Sequence, residues 1–504
     1  MSIDLSLDRI EKLLSHLPPY TRPTCHIAGT NGKGSVSALV SSILQASSYR
    51  VGRFNSPHLV SIYDCITIDD QPISPDVYAR VRKEVEAADK EHGIRTSSFE
   101  LLTSTALMAF EQAQVDVAVV EVGMGGRLDA TNVILDSCIL VSALTAVDLD
   151  HQAFLGTIVS EIAKEKAAIA RRGKPFVLGE QKYREVVDVV REVIGDVGGV
   201  VLQGLIPTKR KWDPSYDRPV APETVLLPSK LHQLPPQPVE VTIPAYTEAL
   251  RALLPLQGNH QLANLGTALG IISALLTHSS KRPEYQGLHI PAKVTPETIL
   301  AGIRRTRWPG RLSLHTISLP VQLPGNNDIS TKTHDALILV DGAHNPASSA
   351  TLSSFINGLV APILSTTATS TRRAITLTYL LGLSHSPPKT PLQTLAPLLS
   401  IHPQSGVGIK IRIGLLRFTP PEGMPWVKSE KPSDLKQVVS SIFPDAELWA
   451  SDDDDPPEGQ LLNALNWAGE KDNGEQGRPQ EGLIIVAGSL YLVADFYRLA
   501  DNLT

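Results

Sequence analysis

One stretch restricts the fold of this chain more than any other. In residues 24–47 a short apolar run, TCHIA, passes through a glycine-rich turn, GTNGKGS, directly into an amphipathic pattern. Val36, Leu39, Val40, Ile43 and Leu44 fall at i, i+3, i+4, i+7 and i+8, the stripe of a helix packed on one face. A strand turning straight into a helix is the opening unit of an α/β fold with a mostly parallel sheet. Gly29, Gly32 and Gly34 let the backbone approach a ligand closely, the helix start offers amide donors and partial positive charge, and Lys33 adds a full charge. A mononucleotide phosphate is the expected ligand, with Ser35 placed to bind magnesium or a phosphate oxygen. The turn departs from GxxxxGK[ST], because Ile27 stands where the first glycine belongs and Gly34 separates Lys33 from Ser35. That departure argues against a common phosphate-loop GTPase or kinase.

The same alternation continues, with strands expected at 51–54, 116–122 and 138–145 and helices near 76–90, 99–113 and 157–171. VDVAVVEV (115–122) is apolar without alternation until Glu121, as in a strand covered on both faces. Glu121 therefore ends a central strand, where open α/β sheets place their ligands. A second series follows Arg311, with strands at 336–341, 374–381, 408–416 and 482–488 before a closing helix. A chain of 504 residues outgrows one hydrophobic core. Two domains are expected: 1–312, which would bind the nucleotide and carry a proline-rich surface excursion at 203–245, and a smaller one at 313–504. Residues 318–334, 364–372 and the acidic stretch Asp452–Asp455 with the polar tract 470–481 read as solvated insertions.

A net charge of -6 argues against a general grip on nucleic acid. No apolar run is long enough to span a bilayer, so no membrane partner is expected. The start, MSIDLSLDRIEKLLSHL, carries acids at Asp4, Asp8 and Glu11 and reads as a short amphipathic helix rather than a targeting peptide. Cys25, Cys65 and Cys138 are too scattered for a disulfide framework, which points to a reducing compartment. A cytoplasmic monomer is the expectation, ahead of a mitochondrial one.

Three further polar clusters follow expected strands: Asn55-Ser56-Pro57-His58, EVGMGGRLDATN (121–132) and Asp148-Leu149-Asp150-His151. Magnesium takes oxygen ligands and accepts a serine beside one carboxylate and nucleotide phosphates, which suits Ser56 with Glu121. His151 completes a second site or serves as a cap or core hydrogen bonder. Lys166 lies eight residues after Ile158 and four after Ile162, on the apolar stripe of its helix. Burial would favour the neutral amine, which can take up carbon dioxide as a carbamate; alternatively the side chain snorkels to the edge.

Together these segments resemble the folylpolyglutamate synthase and dihydrofolate synthase group of the Mur ligase superfamily. The marks are HIAGTNGKGS (26–35), NSPHL (55–59), SFELLT (98–103), EVGMGGRLDATN (121–132), LDHQAFLG (149–156), IAKEKAAI (162–169), LQGNHQLANLGTAL (256–269), WPGRL (308–312), DGAHNP (341–346) and AGSLYLV (487–493). The resemblance implies a Rossmann-like ATP-binding domain, a smaller Rossmann-like C-terminal domain, and catalysis in the cleft between them. It implies that ATP is a co-substrate held by Gly29, Thr30, Asn31, Gly32, Lys33, Gly34, Ser35, Asn264, Arg311 and Asp341. Ser56, Glu121 and His151 would bind one or two Mg2+ ions, and Lys166 would be carbamylated. Phe99, Glu100, Thr103, Gly125, Gly126, Arg127 and Asp129 match pteroate-binding surfaces. His344, with Ser384 or His385, lies where the amino acid would approach, and Lys33, Lys166 and His344 are the expected catalytic residues. Asn31 is similar to its counterpart in dihydrofolate synthases and bacterial bifunctional enzymes, and the opening segment and LLRFTPPEGMPWV (415–427) look like the fungal dihydrofolate-forming branch. The implied reaction joins L-glutamate to 7,8-dihydropteroate through an acyl phosphate, giving dihydrofolate, ADP and phosphate. The alternative is glutamate addition to tetrahydrofolate tails, or both activities in one enzyme. Asn55, where threonine is common, and the long insertions depart from the family pattern.

Overall fold

Residues Thr24–Ala28 are all buried and form β1, the strand from which the first sheet is built outward. The computed structural model describes residues 6–217, 233–278, 285, 287–320, 333–366, 375–400, 409–424, 426–469 and 482–503. They fall into two compact units, Met1–Arg218 with Pro236–Trp308, and Pro219–Pro235 with Pro309–Thr504.

The strands of the first unit's main sheet are β1, β2 (Val51–Phe54), β3 (Ile66–Ile68), β4 (Gln71–Pro72), β5 (Val117–Glu121), β6 (Ile139–Leu144), β7 (Pro175–Leu178) and β8 (Val200–Gln203). Their spatial order is β4-β3-β2-β5-β1-β6-β7-β8. The run from β2 to β8 is parallel, and β3 and β4 add an antiparallel edge. Every residue of β1, β2, β5 and β6 is buried. Helices Lys33–Ala46, His260–His278 and Pro296–Arg305 share one core with these strands. Helices Pro75–Glu91 and Ser98–Gln112 build a second core, where the short helix Asp8–Leu14 inserts Leu13.

The expectation of an unpacked excursion over 203–245 is corrected in part. A small antiparallel sheet, β11-β10-β9, is formed by β9 (Thr208–Lys209), β10 (Gln237–Val241) and β11 (Leu250–Leu254). In β10 burial alternates, and Val239, Val241 and Ile243 enter the main core. The prolines around PVEV masked this period-two pattern. Pro238 accepts from the Arg210 amide at 3.1 Å but has no N–H to return the bond, so the pairing with β9 is confined to Val239 and Glu240. Residues 218–232 of that stretch lie outside the described residues.

The second unit has a six-stranded sheet made of β12 (Ser313–Pro320), β13 (Thr333–Val340), β14 (Ile375–Leu381), β15 (Ile409–Leu415), β16 (Glu447–Ala450) and β17 (Gly482–Ala487). Its order is β12-β13-β17-β14-β15-β16, parallel except for β12. Two of these strands, β12 and β16, were not expected, and β12 with β13 takes in both ends of the expected insertion at 318–334. Helix Pro346–Thr366 likewise takes in the start of 364–372. The remaining parts, 321–332, 367–372 and 470–481, lie outside the described residues. Asp452, Asp454 and Asp455 are exposed, as expected of a solvated acidic stretch. Among the described residues no helix is long and apolar enough to cross a membrane.

The fully buried ring of Phe110 lies against the α-carbon of Gly52 on β2, leaving no room for a side chain there. Phe110→Ala is expected to cost about 3–5 kcal/mol by leaving a cavity, read as a lowered urea midpoint. A loss under about 1 kcal/mol would show that the surrounding core collapses into the space.

Candidate active site

Leaving β1, the chain makes its glycine turn and enters helix Lys33–Ala46 with no side-chain cap on the first turn. The first amides of a helix have no partner within it, and here no capping side chain competes for them. Gly32 holds the left-handed position at φ 97, and a side chain there would run into the Asn264 carboxamide. The Thr30 and Asn31 amides donate to the Ala146 carbonyl at 2.9 and 3.1 Å, and Thr30 Oγ1 donates to the Asp148 carbonyl at 3.1 Å. The turn is thus tied to the segment leaving β6. From the far side, Gln261 Nε2 donates to Ser35 Oγ at 3.2 Å and Asn264 Nδ2 donates to Gln261 Oε1 at 2.9 Å.

Lys33 Nζ lies 3.7 Å from Glu121 Oε1, and both side chains are largely buried. Glu121 ends β5, directly beside β1, with Ile27 opposite it. Its other oxygen accepts from Asn55 Nδ2 at 2.6 Å. Ser56 is the next residue after Asn55, just beyond β2, the other parallel neighbour of β5. His151 lies beyond β6 in a left-handed conformation, exposed, with Nε2 3.7 Å from Asp150 Oδ2. Ser56, Glu121 and His151 therefore all follow carboxyl ends of neighbouring strands. Among the described residues no group of three or more His, Cys, Asp and Glu gathers as a metal cluster. The expected set has only one carboxylate and one imidazole.

Lys166 is buried on helix Val159–Ala167, and its Nζ donates to the Gly29 carbonyl at 2.9 Å. Of the two alternatives for this lysine, burial is the one found. Burial first, and then the charge of Lys33, push its ammonium down to about 7, while Asp150 and Asp129 pull the other way. The loop 121–132 docks on the same helix: the Arg127 amide donates to the Glu165 carbonyl at 2.9 Å, and its Nε lies 3.0 Å from Glu165 Oε1. Gly126 is needed for this approach, since a β-carbon would sit 2.7 Å from the Glu165 carbonyl and 3.0 Å from the Lys166 α-carbon.

The expected substrate residues divide. Gly125, Gly126, Arg127 and Asp129 share the loop, and the Phe99 ring packs against Gly123 within it. The Asp129 carboxylate is turned inward, accepting from the Met124 amide at 2.8 Å and from Thr131 Oγ1 at 2.6 Å. Glu100 caps its own helix, accepting from the Ser97 amide at 2.6 Å and pairing with Arg9 at 3.2 Å, while Thr103 is buried. In the second unit, Asp341 Oδ2 accepts from the Leu312 amide at 2.8 Å. Burial raises its carboxyl against the lowering charge of Arg311. His344 Nδ1 bonds the Gly342 carbonyl at 2.8 Å, and Lys389 Nζ donates to the His344 carbonyl at 2.7 Å. Ser384 Oγ lies 3.1 Å from Ser489 Oγ, and His385 Nδ1 2.9 Å from Glu430 Oε1. Asn55, Gln261, Asp150 and Lys389 are contacts that the sequence reading did not assign to the site. Asn55 carried a signal as the odd residue before Ser-Pro-His, Asp150 as a member of the polar cluster ending at His151 and Gln261 within the segment 256–269, whereas Lys389 carried none.

Fold and site together define an α/β nucleotide-dependent enzyme. A family model described as dihydrofolate synthetase, C-terminal domain, matches residues 326–499. The chain is 32% identical over 511 residues to the dihydrofolate synthetase of Saccharomyces cerevisiae, covering 100% of this chain and 99% of that one. It is 30% identical over 503 residues to a protein of Schizosaccharomyces pombe named as a probable dihydrofolate synthetase, covering 99% of each. Its fold is similar to that of Mycobacterium tuberculosis folylpolyglutamate synthase complexed with ADP and AMPPCP, with a TM-score of 0.70, 26% identity, and coverage of 98% of this chain and 95% of that one. The chain belongs to the dihydrofolate synthetase and folylpolyglutamate synthase family of ATP-dependent ligases.

The Lys166 ammonium gives a stability signature. Its proton leaves the native state from about pH 7, whereas the unfolded chain keeps it to about 10.5. Between those values the unfolded state binds more protons, so this group's contribution to stability rises with pH and its cost is full below pH 7. In degassed buffer, the stability gain of Lys166→Met over wild type is expected to shrink from pH 6 to pH 9, measured by urea melts. A constant difference would mean that the amine titrates normally.

Proposed function

We propose that this protein joins L-glutamate to 7,8-dihydropteroate through an acyl phosphate, giving dihydrofolate, ADP and phosphate. The observation that carries the choice between the two family activities is the end-to-end match with the two yeast proteins.

A carboxylate resists attack by an amine, so the dihydropteroate carboxylate first attacks the γ-phosphorus of ATP and ADP leaves. The glutamate amine then adds to the acyl carbonyl, and phosphate departs as the amide forms. Gly29, Thr30, Asn31, Gly32, Gly34 and Ser35 cradle the phosphates with their backbone, and Lys33 neutralises charge on the transferring group. Asn264, Arg311 and Asp341 complete the ATP contacts. Because His344 Nδ1 faces a carbonyl, which can only accept, the ring proton belongs on Nδ1. Nε2 is then the basic nitrogen, suited to take a proton from the glutamate ammonium. Phe99 and the loop of Gly125, Gly126 and Arg127 form the pteroate surface, with Glu100, Thr103 and Asp129 holding its shape.

Magnesium is proposed to accompany the nucleotide, held by Glu121 and Ser56 as hard oxygen donors and by His151. It would supply charge neutralisation on the phosphoryl oxygens. Lys166 suits carbamylation: it is buried, and its lowered ammonium leaves a reactive neutral amine near pH 7. A carbamate there would replace a cation beside Lys33 with an anion. Three buried unpaired cysteines support a reducing, cytoplasmic setting.

Incubation with dihydropteroate, glutamate, ATP and magnesium is expected to yield dihydrofolate and ADP in equal amounts, with one carboxylate oxygen passing into phosphate. Lys33→Ala is expected to lower kcat by about 10²–10³, and Lys166→Ala is expected to regain part of its activity with added short carboxylates. If mass spectrometry finds glutamate added to reduced folates and none to dihydropteroate, tail extension replaces this reading.

A further inference from the structure

Asn55, the residue that departs from the family pattern, is 5% exposed and engaged at both ends of its carboxamide. Oδ1 accepts from Arg53 Nη1 at 3.2 Å, while Nδ2 donates to Glu121 Oε2 at 2.6 Å and to Ser37 Oγ at 2.7 Å. A guanidinium can only donate, so Arg53 decides which way the carboxamide faces. Arg53 is itself fixed, with Nη2 3.2 Å from Asp70 Oδ1 and its guanidinium 5.2 Å from the centre of the Trp308 ring. Ser37 Oγ donates in turn to the Gly34 carbonyl at 2.9 Å, so Asn55 joins the β5 carboxylate to the first turn of the phosphate-loop helix. With Oε2 held in this way, Oε1 faces Lys33, 3.7 Å from its Nζ.

We propose that Asn55 is a positioning residue, oriented by Arg53, that holds one oxygen of Glu121 so that the other is presented to Lys33 and to the cation accompanying the nucleotide. This rests on the reading that the loop binds a magnesium nucleotide. A short hydrogen bond to an ionised acceptor is the stronger kind, and it fixes direction as well as distance. Thr, with one hydroxyl, can supply the donor to Glu121, whereas the nearly isosteric Val cannot.

The test is calorimetric titration of the full chain with AMPPCP, with and without magnesium, for wild type, Asn55→Thr and Asn55→Val. Asn55→Val is expected to weaken magnesium-AMPPCP binding about tenfold or more, with magnesium-free AMPPCP changed by less than about threefold. Asn55→Thr is expected to stay within about threefold of wild type in both conditions. Equal magnesium-AMPPCP affinities for the two variants, or an equal loss with and without magnesium, overturns the role. Should Asn55→Val fail to fold, Asn55→Thr decides alone: retained affinity supports the role and a tenfold loss overturns it. A wild-type chain that binds no AMPPCP in either condition would instead strike at the nucleotide reading itself.

Discussion

Two lysines meet at one backbone turn, and much of the first unit is arranged around that fact. Lys166 gives up water to donate to the Gly29 carbonyl, and the Lys33 charge works against it there. The helix amides beyond Gly32 add partial positive charge of their own. Glu121 faces Lys33, and Asp129 and Asp150 ease the charge on Lys166, but burial still dominates that group. Such a turn is tuned to receive anion, and it needs outside support to keep its shape. The Ala146 carbonyl, the Gln261–Asn264 pair and the glycine loop docked on the Lys166 helix supply that support from three different stretches of chain.

What the sequence made legible was local. The strand-turn-helix unit is read from a period-3.6 stripe following a glycine turn, and Lys166 is read from its place on the stripe of its own helix. Short elements without a strong period escaped: β3 and β4, the two-residue β9, and β16, whose residues are all half-buried. β10 escaped because proline composition outweighed its alternation. The Gln261–Ser35 contact joins residues 226 apart, and no local pattern announces it. Glu100 is a different case. Ser97 and Glu100 spell a capping box in the sequence itself, and the folded chain forms it.

The carboxylates at this sheet edge show how burial sorts residues of one chemical type into different roles. Asp129 is surrounded by donors that are neutral: the Met124 and Thr131 amides and the Thr131 hydroxyl. Thr131 Oγ1 in turn meets His26 Nε2 at 2.8 Å, and burial holds that imidazole neutral by lowering it to about 3. Bonded in this way to the Met124 and Thr131 amides and the Thr131 hydroxyl, Asp129 shapes the loop that carries Arg127. Glu121 has one oxygen spent on Asn55, and the other lies against Lys33 at a distance longer than a tight ion pair. Of the two, Glu121 is the one with an oxygen facing the Lys33 ammonium beside the phosphate turn. A carboxylate suited to chemistry is distinguished here by the cation that its oxygens face, and in this protein the neighbour that turns one of them toward Lys33 is an asparagine.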